Sequence, residues 1–196
     1  DYTVPNTSIT LKSGYQLYGD PAGTSLQGVI FAPGTTVALL STVIVKDGVS
    51  FPASSEITRG NLITRLKGSV IVHGGSLEDN LFLHIDGKIH IDNSQGGFIR
   101  NNRFIRCKTH AIWPQLVMLG DSERTSSGNV FLWYNFLTPH GDATNIVNQK
   151  DLTFVGFDAE TWNQYDRGTN ALIKVDSLGR LVVFGANGGN HGAYPT

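Results

Sequence analysis

The chain has 196 residues, of which 16% are charged, with 15 Lys and Arg against 16 Asp and Glu. That length makes one domain, or one domain with a small appendix, and is enough to bury a sizeable core. A net charge of −1 gives no basis for binding nucleic acid or inserting in an anionic membrane, and no apolar run is long enough to span a bilayer. No secretory leader is visible, and a first residue of Asp1 rather than Met leads us to expect a processed or excised piece of something longer. Charge is below the usual quarter of residues while Gly, at 23, is frequent, which suits an all-β protein with many corners. Cys107 is the only cysteine, so no internal disulfide forms; three residues after Phe104, it reads as a buried thiol in a chain folded under reducing conditions.

In chain order, residues 8–31 read as short strands separated by turns, with Ile9-Thr10-Leu11 and Tyr15-Gln16-Leu17-Tyr18 alternating and Gly28-Val29-Ile30-Phe31 closed by Pro33-Gly34. The apolar run from Val37 to Val45 has the length of a helix or a strand, and its Val, Ile and Thr favour strand. Val70-Ile71-Val72 precedes a Gly74-Gly75 corner, and Phe82-Leu83-His84-Ile85 leads through Asp86-Gly87 into Lys88-Ile89-His90-Ile91. Asp-Gly is also a tight hairpin signal, so two adjacent antiparallel strands fit that segment equally well.

One phrase recurs through the middle of the chain: a turn-former, Asn, any residue, Phe, then an aliphatic. It is written as Asp79-Asn80-Leu81-Phe82-Leu83, Asn101-Asn102-Arg103-Phe104-Ile105 and Gly128-Asn129-Val130-Phe131-Leu132. Gly60-Asn61-Leu62-Ile63-Thr64 is a weaker copy, and Lys150-Asp151-Leu152-Thr153-Phe154 a further one. Roughly twenty-odd residues is the period of a coil-by-coil repeat. Asn tolerates left-handed backbone and marks a corner, and the β-prone residues after it leave as a strand. Stacked coils would pile Phe on Phe and Asn on Asn; the alternative is unrelated Asn residues in a β-sandwich. The longer interval from Asn102 to Asn129 points to a bulging polar loop at residues 120–127, with residues 139–144 as a second loop.

The phrases at Ile99–Phe104 and Ser127–Phe131, and the opening from Val4 to Gly19, resemble the coil motif of right-handed parallel β-helices of the pectate-lyase-like superfamily. Within that class the chain most resembles bacteriophage tailspikes and appendages. Residues 158–196 change character, and Leu172–Phe184, two apolar stretches around Ser177-Leu178-Gly179-Arg180, read as a hairpin similar to repeats near the ends of phage tail fibres. The fold expected is therefore all-β: β-helix coils over 1–157, then a loop, a C-terminal hairpin appendix and a Gly-rich tail over 158–196. The resemblance implies a virion protein, attached to the rest of a phage tail, that recognises bacterial surface polysaccharide as a homotrimer. The alternatives are a polysaccharide hydrolase or lyase of the same fold, and a secreted adhesin.

Glycoside hydrolysis needs two carboxylates at a suitable separation. Asp121, Glu123 and Asp142 are the catalytic candidates, with Asp158 and Glu160 behind them. Sugar faces stack on aromatic rings, so Trp113, Trp133, Tyr134 and Trp162 are candidate substrate contacts, joined by Arg103 and Arg106 for hydroxyls or acidic groups; Tyr165, Arg124 and Asn135 are further candidates. Alternation after Asn129 leaves Trp133 either core or surface, Tyr134 taking the other role. His84, Asp86, His90 and Asp92 would share one face of a strand or hairpin, yet no zinc-type spacing matches, so neither metal nor cofactor is expected.

Overall fold

A computed structural model describes residues 8–20, 23–110, 116–121, 126–138, 144–156, 158–161, 175–176, 179–185 and 187–190. Among these there is no helix. Short strands stack into three sheets of eight, five and thirteen strands, paired in parallel throughout. One coil visits the three sheets in turn: Leu81–Asp86 lies in the large sheet, Ile89–Asp92 in the eight-stranded one and Phe98–Arg100 in the five-stranded one. The protein is a parallel β-helix, with its apolar side chains turned into the space between the sheets.

Asp86-Gly87 is thus a corner between sheets rather than a hairpin turn. Leu81–Asp86 pairs with Leu62–Lys67, and Ile89–Asp92 pairs with Val70–His73. The run after Val37 is strand, over Leu39–Val45. The expected C-terminal hairpin is replaced by continued stacking: Val175–Asp176 pairs in parallel with Thr144–Val147, and Leu181–Phe184 pairs in parallel with Leu152–Val155. Two apolar stretches around a Gly-containing turn fit a hairpin and a solenoid corner alike; the exposed strands of the coil before them offer parallel partners.

The asparagine corner works differently from its sequence reading. The left-handed residue is the one before the Asn: Gly60, Asp79, Asn101 and Gly128 have φ of 65°, 54°, 54° and 68°, and Asp151, which precedes Leu152 at the same place in the next coil, has 51°. The Asn itself turns inward and is buried, as are Asn61, Asn80, Asn102 and Asn129. Each Asn Nδ2 donates to the Oδ1 of the next Asn, at 2.9 Å for Asn61–Asn80, 3.0 Å for Asn80–Asn102 and 3.1 Å for Asn102–Asn129. The same Oδ1 also accepts the backbone N–H of the Asn before it, at 3.0, 3.0 and 3.1 Å. The second Nδ2 hydrogen reaches a carbonyl, of Thr35, Thr58, Leu77 and Ile99 in turn. Beside the ladder, Phe82, Phe104, Phe131 and Phe154 stack with centroids 4.7, 4.6 and 4.8 Å apart. Pairing of Phe131 with Phe154 puts Leu152, not Asp151, at the Asn position, so the last copy of the phrase sits one residue later than its sequence reading and the ladder stops there.

The extra residues of the long coil also move. Asp86 pairs with Lys108, 22 residues on, whereas Ile89 pairs with Leu116, 27 residues on. Arg100 still pairs with Ser127, 27 residues on, so the surplus of five falls between Lys108 and Leu116 and not at 120–127. Total spacing between two Asn corners cannot say which corner grew; register can.

Val37 occupies the left-handed position two coils before Asp79, with φ 55° and 73% exposure. A β-branched residue there is strained and packs against little, while Gly serves the same position at 60 and 128. Val37→Gly should raise the unfolding free energy by about 1 kcal/mol, read from the urea midpoint.

Cys107 is buried, its Sγ donating weakly to the carbonyls of Ile105 and Phe82 at 3.6 and 3.7 Å. Burial pushes its thiol from 9.0 to about 12. A folded-state pKa raised above the unfolded one stabilises the fold fully below about pH 9, and the gain is lost as pH rises toward 12. Between those limits the wild type should lose about 1.4 kcal/mol more per pH unit than Cys107→Ala, measured by urea unfolding at pH 8, 9.5 and 10.5.

Candidate functional site

The half-strands Leu81–Leu83, Arg103–Ile105 and Val130–Leu132 lie one above another on the large sheet. Alternation sends Phe82, Phe104 and Phe131 inward and leaves Leu81, Leu83, Ile105, Val130 and Leu132 half-exposed on the outer face. A left-handed corner bounds this strip at each end. On the asparagine side the corner residues Asp79, Asn101 and Gly128 stack outward. With Arg103, Leu81, Val130 and the edge of Asn80 they line a shallow groove of about 540 Å³. Asp79, Asn101 and Arg103 are exposed. A carboxylate, an amide and a guanidinium around an aliphatic floor supply both acceptors and donors, the set that a polyhydroxylated chain needs. Asn101 lies close against Gly128, whose added Cβ would meet Asn101 Oδ1.

At the far end a second left-handed column runs Thr42, Arg65, His84, Arg106 and Trp133, with φ between 51° and 60°. Left-handed geometry throws these side chains outward. Trp133 is 57% exposed, and the Arg106 guanidinium lies 5.6 Å from its ring centroid. The indole rests along Gly156, where a Cβ would meet its Cδ1. Trp133 is therefore surface and Tyr134 is core. Tyr134 is fully buried, its hydroxyl 3.1 Å from that of Thr109 and its ring against Phe131 and Phe136. Burial drives its hydroxyl well above the usual phenol range, and a sugar at the surface does not reach it.

The structure thus brings Arg103, Arg106 and Trp133 onto one outer face. Asp121 lies elsewhere, half-buried after the Leu116–Leu119 strand of the eight-stranded sheet. Trp113, Glu123, Arg124, Asp142, Trp162 and Tyr165 lie outside the described residues, and of Asp158 and Glu160 only the strand that carries them, Asp158–Thr161, is described. Asp79 and Asn101, which line the groove, are not among the sequence candidates. Their signal was present: a non-Gly turn-former before the inward Asn has to point out.

The foursome of His84, Asp86, His90 and Asp92 is split between sheets, His84 at the second corner and His90 on the eight-stranded sheet. What gathers instead is His73, His90 and Asp92, whose ligand atoms lie within 4.8 Å of one another. Burial, then Lys88 and His73, lower the His90 pKa against the opposing pull of Asp92. The Ser94 hydroxyl and backbone N–H, donating to Asp92 Oδ1 at 2.6 and 3.1 Å, hold that carboxyl below its ordinary value.

No family model, curated protein or solved structure matches the chain.

Proposed function

We propose that the chain is the β-helix part of a phage tailspike-like receptor-binding protein, a homotrimer that holds a bacterial surface polysaccharide. The observation that carries this reading is the face bounded by the Asp79–Asn101–Arg103 groove and the Arg106–Trp133 pair. An indole exposed beside a guanidinium offers a flat apolar surface for a sugar ring, and the groove offers hydrogen bonds for its hydroxyls. The parallel β-helix supplies a rigid base for both, since the corners and strands that carry these side chains are locked into the stack. The half-exposed aliphatic column of Leu83, Ile105, Leu132 and Val155 between them is the surface that a second copy covers. The polar corners then form the seam between copies, where the glycan lies.

Capsule or lipopolysaccharide fragments titrated into the protein should bind, and Arg103→Ala and Trp133→Ala should each weaken binding about tenfold with unchanged melting. Sedimentation should give a trimer at micromolar concentration. Unaltered affinity in both variants would remove the groove from the reading. New reducing ends, or absorbance from an unsaturated sugar, would replace binding by depolymerisation.

A further inference from the structure

We propose that His73, His90 and Asp92 form a binding site for one late first-row transition-metal dication of the zinc class, on the outer face of the eight-stranded sheet. The site is separate from the glycan face, which belongs to the large sheet, and does not depend on that reading.

The geometry follows from the backbone. His90 and Asp92 are two apart in the Ile89–Asp92 strand, so their side chains leave on the same side. His73 ends the strand Val70–His73 of the coil before and pairs directly with Asp92. Parallel strands lie about 4.8 Å apart, so the three side chains stand at the corners of a small triangle on one surface. The His73 and His90 rings are 5.5 Å apart by centroid, tilted 56° to each other, and all three ligand atoms lie within 4.8 Å. Small rotations bring such atoms to the separations of ligands around one tetrahedral ion, whose metal–ligand bonds are about 2.0–2.2 Å.

Two further features favour ligation over an accidental cluster. Ser94 occupies Asp92 Oδ1 with two hydrogen bonds, which orients the carboxylate and leaves Oδ2 to bind. His90 is half-buried on the strand face, two residues from Asp92, so its ring is held beside the carboxylate rather than free in solvent. Two imidazoles and one carboxylate suit zinc, cobalt, nickel or copper rather than calcium or magnesium, which take mostly oxygen. Three protein ligands leave a position for water or for a group from another molecule.

The test uses the untagged, chelator-treated full chain, titrated with Zn²⁺ by calorimetry and with Co²⁺ by visible absorption. We expect one ion per chain, a cobalt spectrum of low coordination number, and zinc affinity at least about tenfold weaker in His73→Gln and in His90→Gln. His84→Gln, in the other sheet, should bind as wild type. Both His variants change surface side chains, and the melting temperature without metal confirms that each is folded. Zinc affinity unchanged in His73→Gln and His90→Gln, or lost equally in His84→Gln, overturns the proposal. So does a stoichiometry well below one.

Discussion

Asn102→Ala should lower the unfolding free energy by about 4 kcal/mol, a large share of the stability of a domain this size. The substitution removes four buried hydrogen bonds at once. Asn102 Oδ1 accepts from both the backbone N–H and the Nδ2 of Asn80, and Asn102 Nδ2 donates to Asn129 Oδ1 and to the Leu77 carbonyl. Ala can neither accept nor donate, so two Asn80 donors, the backbone N–H and Nδ2, lose their acceptor where water does not reach; Asn80 is 1% exposed. An unsatisfied buried group costs about 1–3 kcal/mol, far above the net worth of an ordinary exposed bond. The end of the ladder provides the control. Asn61 receives the N–H of Ala38 and donates to Thr35 and Asn80, one bond fewer, so Asn61→Ala should cost less than Asn102→Ala. Chemical denaturation of the two variants settles the order. A cost below about 1 kcal/mol for Asn102→Ala would mean that the amide ladder follows the stack rather than holding it.

The three asparagine phrases were readable because one residue type does two jobs at that position. Its side chain is small enough for the inside of a corner, and its amide carries two donors and an acceptor aimed along the stack. No aliphatic does both, so the corner leaves a mark in composition. The second corner leaves none. Thr42, Arg65, His84, Arg106 and Trp133 share a left-handed backbone with no common side chain, because all of them point to solvent and nothing inside the coil selects among them. For that reason Trp133 stayed ambiguous between core and surface: alternation carried on from Phe131 puts it inside, and a left-handed residue resets the count. Tyr134 then falls inward in its place. The face proposed for glycan is half legible in the sequence, through Arg103, Arg106 and Trp133, whereas Asp79 and Asn101 carry only a turn signal. The His73–His90–Asp92 triangle was out of reach, since it joins two coils through a register that no short motif states. The same lack of register misplaced the five extra residues and the last copy of the phrase.

Phe104→Ala should also cost about 4 kcal/mol, and the reason is burial rather than ring electronics. Phe104 is 1% exposed and lies between Phe82 and Phe131, 4.7 and 4.6 Å from them and within 7° of parallel to each. Those spacings equal the distance between hydrogen-bonded strands, so the backbone imposes them. Near-parallel rings at the strand spacing are a compromise for the quadrupoles, which prefer offset or edge-on approach, so each contact adds only about 1 kcal/mol beyond the area it buries. The area, about 150–250 Å² for an aromatic side chain, accounts for most of the loss at about 25 cal/mol per Å². Phe104→Leu keeps much of that area and should cost only about 1.5 kcal/mol. A double-mutant cycle of Phe82→Leu with Phe104→Leu should give a coupling of about 1 kcal/mol. If Phe104→Leu proved as damaging as Phe104→Ala, shape and ring contact would outweigh area. The stack would then be a specific aromatic column, and the Ile63 that precedes Phe82 in register, which continues it without a ring, would be its weakest member.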